Sequence, residues 1–205
     1  MSEANGPSGR EREGPSEANG PSGREREGPS EANGDATASA PGPAEEAAGR
    51  YGVPASSSRG QVVLHPTREQ YLDVVARLKE AGYGVCVDVT AADYLLHGAP
   101  RHLPEGIEAE RFEVVANFLS HRERARARVR VQVPADDARC PSLWSLHAGV
   151  ENPEREVFDM FGIVFDEHPD MTRILMPESW EGHPLRKDFA TGKIPVQFKG
   201  APASR

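Results

Sequence analysis

The chain has 205 residues, 37% of them apolar and 27% charged, with 24 Lys and Arg against 32 Asp and Glu and a net charge of −8. That length suits one ordinary domain plus a tail and is too short for two domains. The acidic balance disfavours nonspecific nucleic-acid binding, and no window offers the roughly 18 consecutive apolar residues that a membrane-spanning helix needs, so a soluble protein is expected.

In chain order, residues 2–15 (SEANGPSGREREGP) recur as residues 16–29, and residues 30–34 begin a third copy. A repeat without Val, Ile, Leu, Phe, Trp or Tyr cannot bury a core by stacking, which predicts a disordered tail rather than a solenoid. Ala, Pro, Gly and Ser dominate up to about residue 59. With 6 basic and 10 acidic residues to that point, tail and body carry about −4 each. The start lacks the basic-then-apolar order of a secretory signal. The expected division is a tail over 1–59, a globular domain over 60–163 and an extended C-terminal segment over 164–205.

Gln61-Val62-Val63-Leu64-His65 reads as a short strand closed by Pro66. Thr67 and Gln70 have the spacing of a capping box, and Tyr71, Val74, Val75 and Leu78 follow at helical spacing until Gly82. Residues 83–90 predict a second strand, buried on both faces toward its middle, with Cys86 a buried, reduced thiol. After a Pro- and Gly-containing loop, Phe112, Val114, Ala116 and Phe118 alternate with more polar positions, although Val115 interrupts the outer row. Ala127, Val129, Val131 and Val133 alternate with Arg128, Arg130 and Gln132. Residues 120–126 join these two as an antiparallel hairpin. Ser142 can cap a short helix through Leu143, Trp144 and Leu146. Asn152 as N-cap and Pro153 as first residue open another helix, closed by Gly162. Prolines 169, 177, 184 and 195 then forbid long regular elements, yet Ile174, Leu175, Met176, Trp180, Leu185 and Phe189 keep that segment apolar enough to lie on something. The pattern is α+β, a small mainly antiparallel sheet with helices packed on one face, followed by an extended C-terminal docking segment.

Several constellations could carry chemistry. Asp166, His168 and Asp170 alternate, so an extended backbone would turn all three one way, as ligands of an iron or zinc hydrolytic site that Glu156 or Asp159 could join. A small metal-dependent hydrolase is one reading; ordinary turn composition is the other. Cys86 and Cys140 are too few for an iron–sulfur cluster and too isolated for a structural zinc site. Arg122, Arg124, Arg126, Arg128 and Arg130 share one parity and define a basic face. RNA-binding sheets pair such a face with stacking aromatics, which are missing from the outward positions here. A solvated edge or a face for an acidic partner fits better. Arg155 and Asp159 can pair at i,i+4, and Glu154 and Glu156 suit the positive end of their helix. No nucleophile, oxyanion-hole glycines or phosphate loop accompanies these carboxylates.

Four motifs then occur in order: Glu154-Arg155-Glu156-Val157-Phe158-Asp159-Met160-Phe161-Gly162-Ile163, Phe165-Asp166-Glu167-His168-Pro169-Asp170, Arg173-Ile174-Leu175-Met176-Pro177, and Gly182-His183-Pro184-Leu185-Arg186-Lys187-Asp188-Phe189. Together they resemble the C subunit of the bacterial proton-pumping NADH:quinone oxidoreductase, respiratory complex I. The likeness is dense over residues 144–189. Over 62–133 it rests on the order of elements and on pieces such as Asp93-Tyr94-Leu95, and it does not reach residues 1–59.

The resemblance implies a non-catalytic member of the peripheral arm, held mainly by the D subunit and close to the B and I subunits. It further implies a peripheral position on the cytoplasmic side of the cell membrane, and no cofactor or metal in this chain, FMN and iron–sulfur clusters belonging to partner subunits. The enzyme so implied passes electrons from NADH to a quinone, coupled to proton translocation. Partner contacts are implied for Glu154, Arg155, Glu156, Asp159, Phe161, Gly162, His168, Pro169, Gly182, His183, Pro184, Leu185, Arg186, Lys187 and Asp188, with residues 169–189 wrapping along the D subunit. The C and D subunits are expected to be separate chains here, and the repeat tail a dispensable tether.

Overall fold

The computed structural model describes residues 43–190. Strands β1 (Ala55–Ser58), β2 (Gln61–Leu64), β3 (Val85–Asp93), β4 (Phe112–Ser120) and β5 (Ala125–Val133) form one sheet in the order β1-β2-β5-β4-β3. Neighbours are antiparallel except β2 and β5, which run parallel with Val62 opposite Ala127. Helices α1 (Pro43–Tyr51), α2 (Tyr71–Glu80) and α3 (Glu151–Phe161), a 3-10 turn (Ala148–Val150) and a parallel pair, β6 (Arg139–Pro141) with β7 (Val164–Asp166), complete the described elements. This is the α+β arrangement that the alternation predicts.

Phe112, Val114, Ala116 and Phe118 of β4 and Ala127, Val129, Val131 and Val133 of β5 are all buried, because every second side chain of a strand meets the same face. Tyr71, Val74, Val75 and Leu78 bring one stripe of α2 into the same core, with Tyr51, Leu143, Val157 and Ile163. Each large side chain buried there stabilises the fold by about 1.5–3 kcal/mol. The Gln70 side chain accepts the Thr67 backbone N–H at 3.1 Å, which is half of the expected capping box, and the helix begins at Tyr71.

Five local expectations change. The ordered body begins before residue 60, since residues 43–58 supply α1 and β1. Ala47 and Tyr51 lie one turn apart and enter the core, and Glu45, Glu46 and Arg50 complement the helix dipole, features that the surrounding low-complexity composition hides. Residues 1–42 and 191–205 lie outside the described residues. β3 is an edge strand rather than one buried on both faces: the register shifts between Cys86 and Asp88, Val85 and Val87 remain 42% and 48% exposed, and Cys86 is only half-buried. The β4–β5 connection is four residues long, 121–124, because both strands run further than expected. Ser142 starts a turn rather than a helix, its hydroxyl accepting the Trp144 N–H at 3.1 Å. Asn152 does not cap α3: a single 3-10 turn (Ala148–Val150) leads into Glu151, leaving Asn152 and Pro153 inside the first turn, where an N–H has no intrahelical partner.

The basic face is largely tied down by its own sheet. Glu113 on β4 is 1% exposed and binds Arg130 at 2.7 and 2.9 Å, Gln132 at 2.6 Å and also Arg101, from the loop that covers this face. Arg128 donates to Asn117 Oδ1 at 3.0 Å. A carboxylate so surrounded is satisfied on both oxygens, as a buried charge must be.

Candidate functional site

The C-terminal motifs converge on α3, and each buried or half-buried polar residue of that helix's outer turns holds a different stretch of chain. Glu154 is fully buried. Its Oε1 accepts the Leu143 N–H at 2.8 Å and its Oε2 the Ser142 hydroxyl at 2.5 Å, which fixes the 142–146 turn against the helix. Burial pushes its carboxyl up to about 7, against the opposing effect of those two bonds. The buried His168 ring lies 4.0 Å from Oε2; its Nε2 donates to the Glu151 carbonyl at 3.0 Å and its Nδ1 accepts the Asp170 N–H at 3.1 Å. Next along the helix, Arg155 binds the Thr172 carbonyl at 3.1 Å, its hydroxyl at 2.8 Å and the Arg173 carbonyl at 3.0 Å. Glu156, which follows, is exposed.

Asp159 organises the third motif. Its Oδ2 accepts three successive backbone N–H groups, from Ile174 at 3.1 Å and from Leu175 and Met176 at 2.8 Å each, while Oδ1 pairs with Arg173 at 2.6 Å. Burial alone would raise this carboxyl; the Met176 N–H, Arg173 and the other two amides outweigh it and hold it below its usual range. The loop so gathered leaves Ile174 and Leu175 39% and 55% exposed.

The fourth motif closes the C-terminus of α3. A helix ends with carbonyls that lack intrahelical partners. Here the Phe158 carbonyl takes the Gly162 N–H at 2.8 Å, the Asp159 carbonyl takes His183 Nδ1 at 3.0 Å and the Met160 carbonyl takes the Leu185 N–H at 3.0 Å. Gly162 is left-handed, with φ 73°, and a Cβ there would stand 2.6 Å from the His183 ring. Glycine therefore both turns the chain and admits the imidazole. Beyond Pro184, the Lys187 N–H reaches Asp93 Oδ2 at 2.9 Å, and Arg111 bridges Asp93 and Asp188 at 2.9 and 2.8 Å. Arg111 and Arg186 lie 4.7 and 5.0 Å from the Phe112 ring centre, and Trp180 stacks on Phe189 beside Gly182. Asp93 is raised by burial but lowered more by Arg111 and the two N–H groups that it accepts. A groove of about 460 Å³ runs between this clasp and the end of β3, lined by Ala91, Tyr94, Leu96, Phe161, Leu185 and Lys187.

The model of the family described as "Respiratory-chain NADH dehydrogenase, 30 Kd subunit" matches residues 64–194. The chain belongs to this family. Among 30 kDa subunit relatives, NADH-quinone oxidoreductase subunit 5 of Thermus thermophilus is 40% identical over 160 residues, 76% of this chain and 74% of its own length. The C subunit of the NADH-quinone oxidoreductase of Saccharopolyspora erythraea is 38% identical over 160 residues, 73% of this chain, and that of Salinispora tropica 38% over 146 residues, 70% of this chain. The chain spans only 60% and 56% of the length of these last two relatives. The solved trypsin-resistant fragment (1–134) of Nqo5 superposes with a TM-score of 0.53 at 35% identity, covering 62% of this chain and 94% of the fragment. The membrane-bound sulfane sulfur reductase, an archaeal respiratory membrane complex, contains a chain that shares the fold at 22% identity, with a TM-score of 0.57 over 75% of this chain and 90% of that one.

In this member of the 30 kDa subunit family the motif residues divide by place. Glu154, Asp159 and Phe161 are buried; Arg155, Gly162, His168, His183, Pro184 and Arg186 are half-buried; Glu156, Pro169, Gly182, Leu185, Lys187 and Asp188 are exposed. The expected Arg155–Asp159 pair gives way to Arg173, because three amides and a guanidinium from one loop satisfy Asp159 better than a single side chain on the same helix could. The hydrolytic arrangement does not form: Asp166 pairs with Arg139, Asp170 lies 4.0 Å from Arg155, and His168 is occupied on both nitrogens. Among the described residues no group of three or more His, Cys, Asp or Glu is placed to hold a metal ion. Sequence reasoning misses Arg111 and Glu113, whose partners lie far along the chain, gives Ser142 a helix cap in place of its bond to Glu154, and signals Asp93 only through the Asp93-Tyr94-Leu95 piece.

Proposed function

We propose that this chain is a non-catalytic structural and assembly subunit of the peripheral arm of a proton-translocating NADH:quinone oxidoreductase, in which FMN and iron–sulfur clusters of partner subunits carry electrons from NADH to a quinone. The D subunit is the main partner, with the B and I subunits nearby, and the chain sits at the cell membrane peripherally, on its cytoplasmic side. Among the described residues no helix is long and apolar enough to cross a membrane. One observation supports the reading above others: the charged groups of the C-terminal motifs are largely spent inside the chain, on α3 and on Arg111, while Leu96, Leu175 and Leu185 are held outward, 75%, 55% and 46% exposed. Apolar side chains held out on a rigid polar frame suit a protein–protein contact.

A leucine buried in an interface contributes about 1.5–3 kcal/mol. Leu175→Glu and Leu96→Glu are therefore expected to lower co-purification of the partner subunits about tenfold or more, with the variant's own melting curve unchanged. Full assembly combined with slow turnover would point to catalysis in this chain instead.

A further inference from the structure

The opposite end of the sheet carries positive charge that the fold leaves uncompensated. Parallel pairing of β2 with β5 brings the β1–β2 turn (Arg59, Gly60) and the β4–β5 turn (121–124) out together, away from the Asp93 end. Both turns place an arginine at positive φ, 52° for Arg59 and 49° for Arg124, where asparagine or glycine would sit with less strain. Of the arginines in this run, Arg128 and Arg130 bind Asn117 and Glu113, and Arg122 takes Glu123 at 2.8 Å. The side chains of Arg59, Arg124 and Arg126 have no ion pair among the described residues. Between the turns lies a groove of about 440 Å³, lined by Val62, Tyr83 and Leu119 together with His121, Arg124 and Arg126.

We infer that this groove is a docking site for an acidic polypeptide segment of a partner protein, its carboxylates meeting Arg124 and Arg126 and an apolar residue meeting Val62 and Leu119. Charge complementarity selects that occupant. A nucleic-acid strand needs a basic track with several stacking aromatics, and this groove offers one tyrosine and two lining arginines. An anionic membrane presents a wide charged plane to a chain of net charge −8. A short peptide feels mainly the charges within a Debye length, about 8–10 Å, and the charged residues that line the groove, Arg124 and Arg126, are both positive. The inference stands apart from the proposed function, since groove and clasp occupy opposite ends of the sheet.

Fluorescence anisotropy with the full chain at about 0.1 M salt tests it, using a labelled peptide of repeated Asp-Asp-Leu beside a single-stranded oligonucleotide and phosphatidylserine vesicles. The peptide is expected to bind saturably. Arg124→Gly with Arg126→Ala should weaken it about tenfold or more, and added salt should weaken it too. Arg77→Ala, on the exposed side of α2, should not change it. Arg124→Gly alone should melt no lower than the parent, because it removes the positive-φ side chain, so lost binding would not be lost folding. Equal affinity of the parent and the double variant, or groove-dependent binding of the oligonucleotide or vesicles in place of the peptide, would overturn the inference.

Discussion

Replacing Glu154 with glutamine is expected to stabilise the fold above neutrality and to leave it nearly unchanged in mild acid. Glu154 is wholly buried, and burial raises its carboxyl from 4.5 to about 7, more than the Ser142 and Leu143 bonds lower it. Between those two values the folded chain holds a proton that the unfolded chain releases, so stability falls as pH rises. The contribution is fully present below 4.5 and is lost as pH passes through about 7. A gap of this size corresponds to about 3 kcal/mol. Glutamine preserves the geometry, its carbonyl accepting the Leu143 N–H and its amide donating to Ser142 Oγ, and it carries no charge to desolvate. The bonds of the ionised parent are already included in that gap, so the net gain at high pH is about 3 kcal/mol, or about 6–12 °C in Tm. Urea unfolding at about pH 5 and about pH 8 measures the difference directly. An equal loss of stability at both pH values would refute the reasoning, because it would mean that the folded chain keeps Glu154 ionised and favourably paired.

The remaining expectations concern the C-terminal frame. Asp159→Asn leaves Arg173 without its charge partner and turns an amide toward N–H donors, which should cost about 3 kcal/mol or more at neutral pH and increase proteolysis of residues 171–189. Because the Asp159 carboxyl lies below its usual range, its stabilising effect is present above the unfolded value of 3.8 and disappears as pH falls through the lowered one, so the variant and the parent should converge in acid. Gly162→Ala introduces a left-handed alanine, itself unfavourable by roughly 1–2 kcal/mol, and a methyl group against His183. Denaturation of Gly162→Ala with and without His183→Ala separates the two effects; a double variant that loses the full sum of the single losses would exclude the steric contact.

How far the sequence can be read follows the range of the interactions involved. Period-two alternation in β4 and β5 and the one-turn spacing of Tyr71, Val74, Val75 and Leu78 are local consequences of backbone geometry, and each such residue lies in the core. Gly162 is legible for the same reason, as a terminator after an apolar helix. β3 misleads because its apolar run resembles a central strand, and nothing local reveals that only one neighbour pairs with it or that a bulge leaves Val87 outside. α1 is obscured by repeat-like surroundings. The site shows the limit most clearly: i,i+4 spacing favours Arg155 for Asp159, a helix-surface pairing that contributes only about 0.3–0.5 kcal/mol, whereas the three amides and Arg173 come from a loop whose position no periodicity encodes. The family motifs point to the residues that matter, and only the folded chain shows how many of their charges are turned inward.

The bond between Asp93 and the Lys187 amide joins residues 94 positions apart. Closing a loop of that length forfeits chain entropy on the order of 4 kcal/mol, more than one such bond returns by itself. The clasp can therefore persist only after β3, β4 and α3 have assembled and share the cost with it. Residues 185–188 follow every other described element, so they dock on a finished sheet edge or not at all. A partner that recognises Leu185 beside Leu96 thus meets them together only on a completely folded chain, which makes the contact a checkpoint for folding as well as a place of attachment.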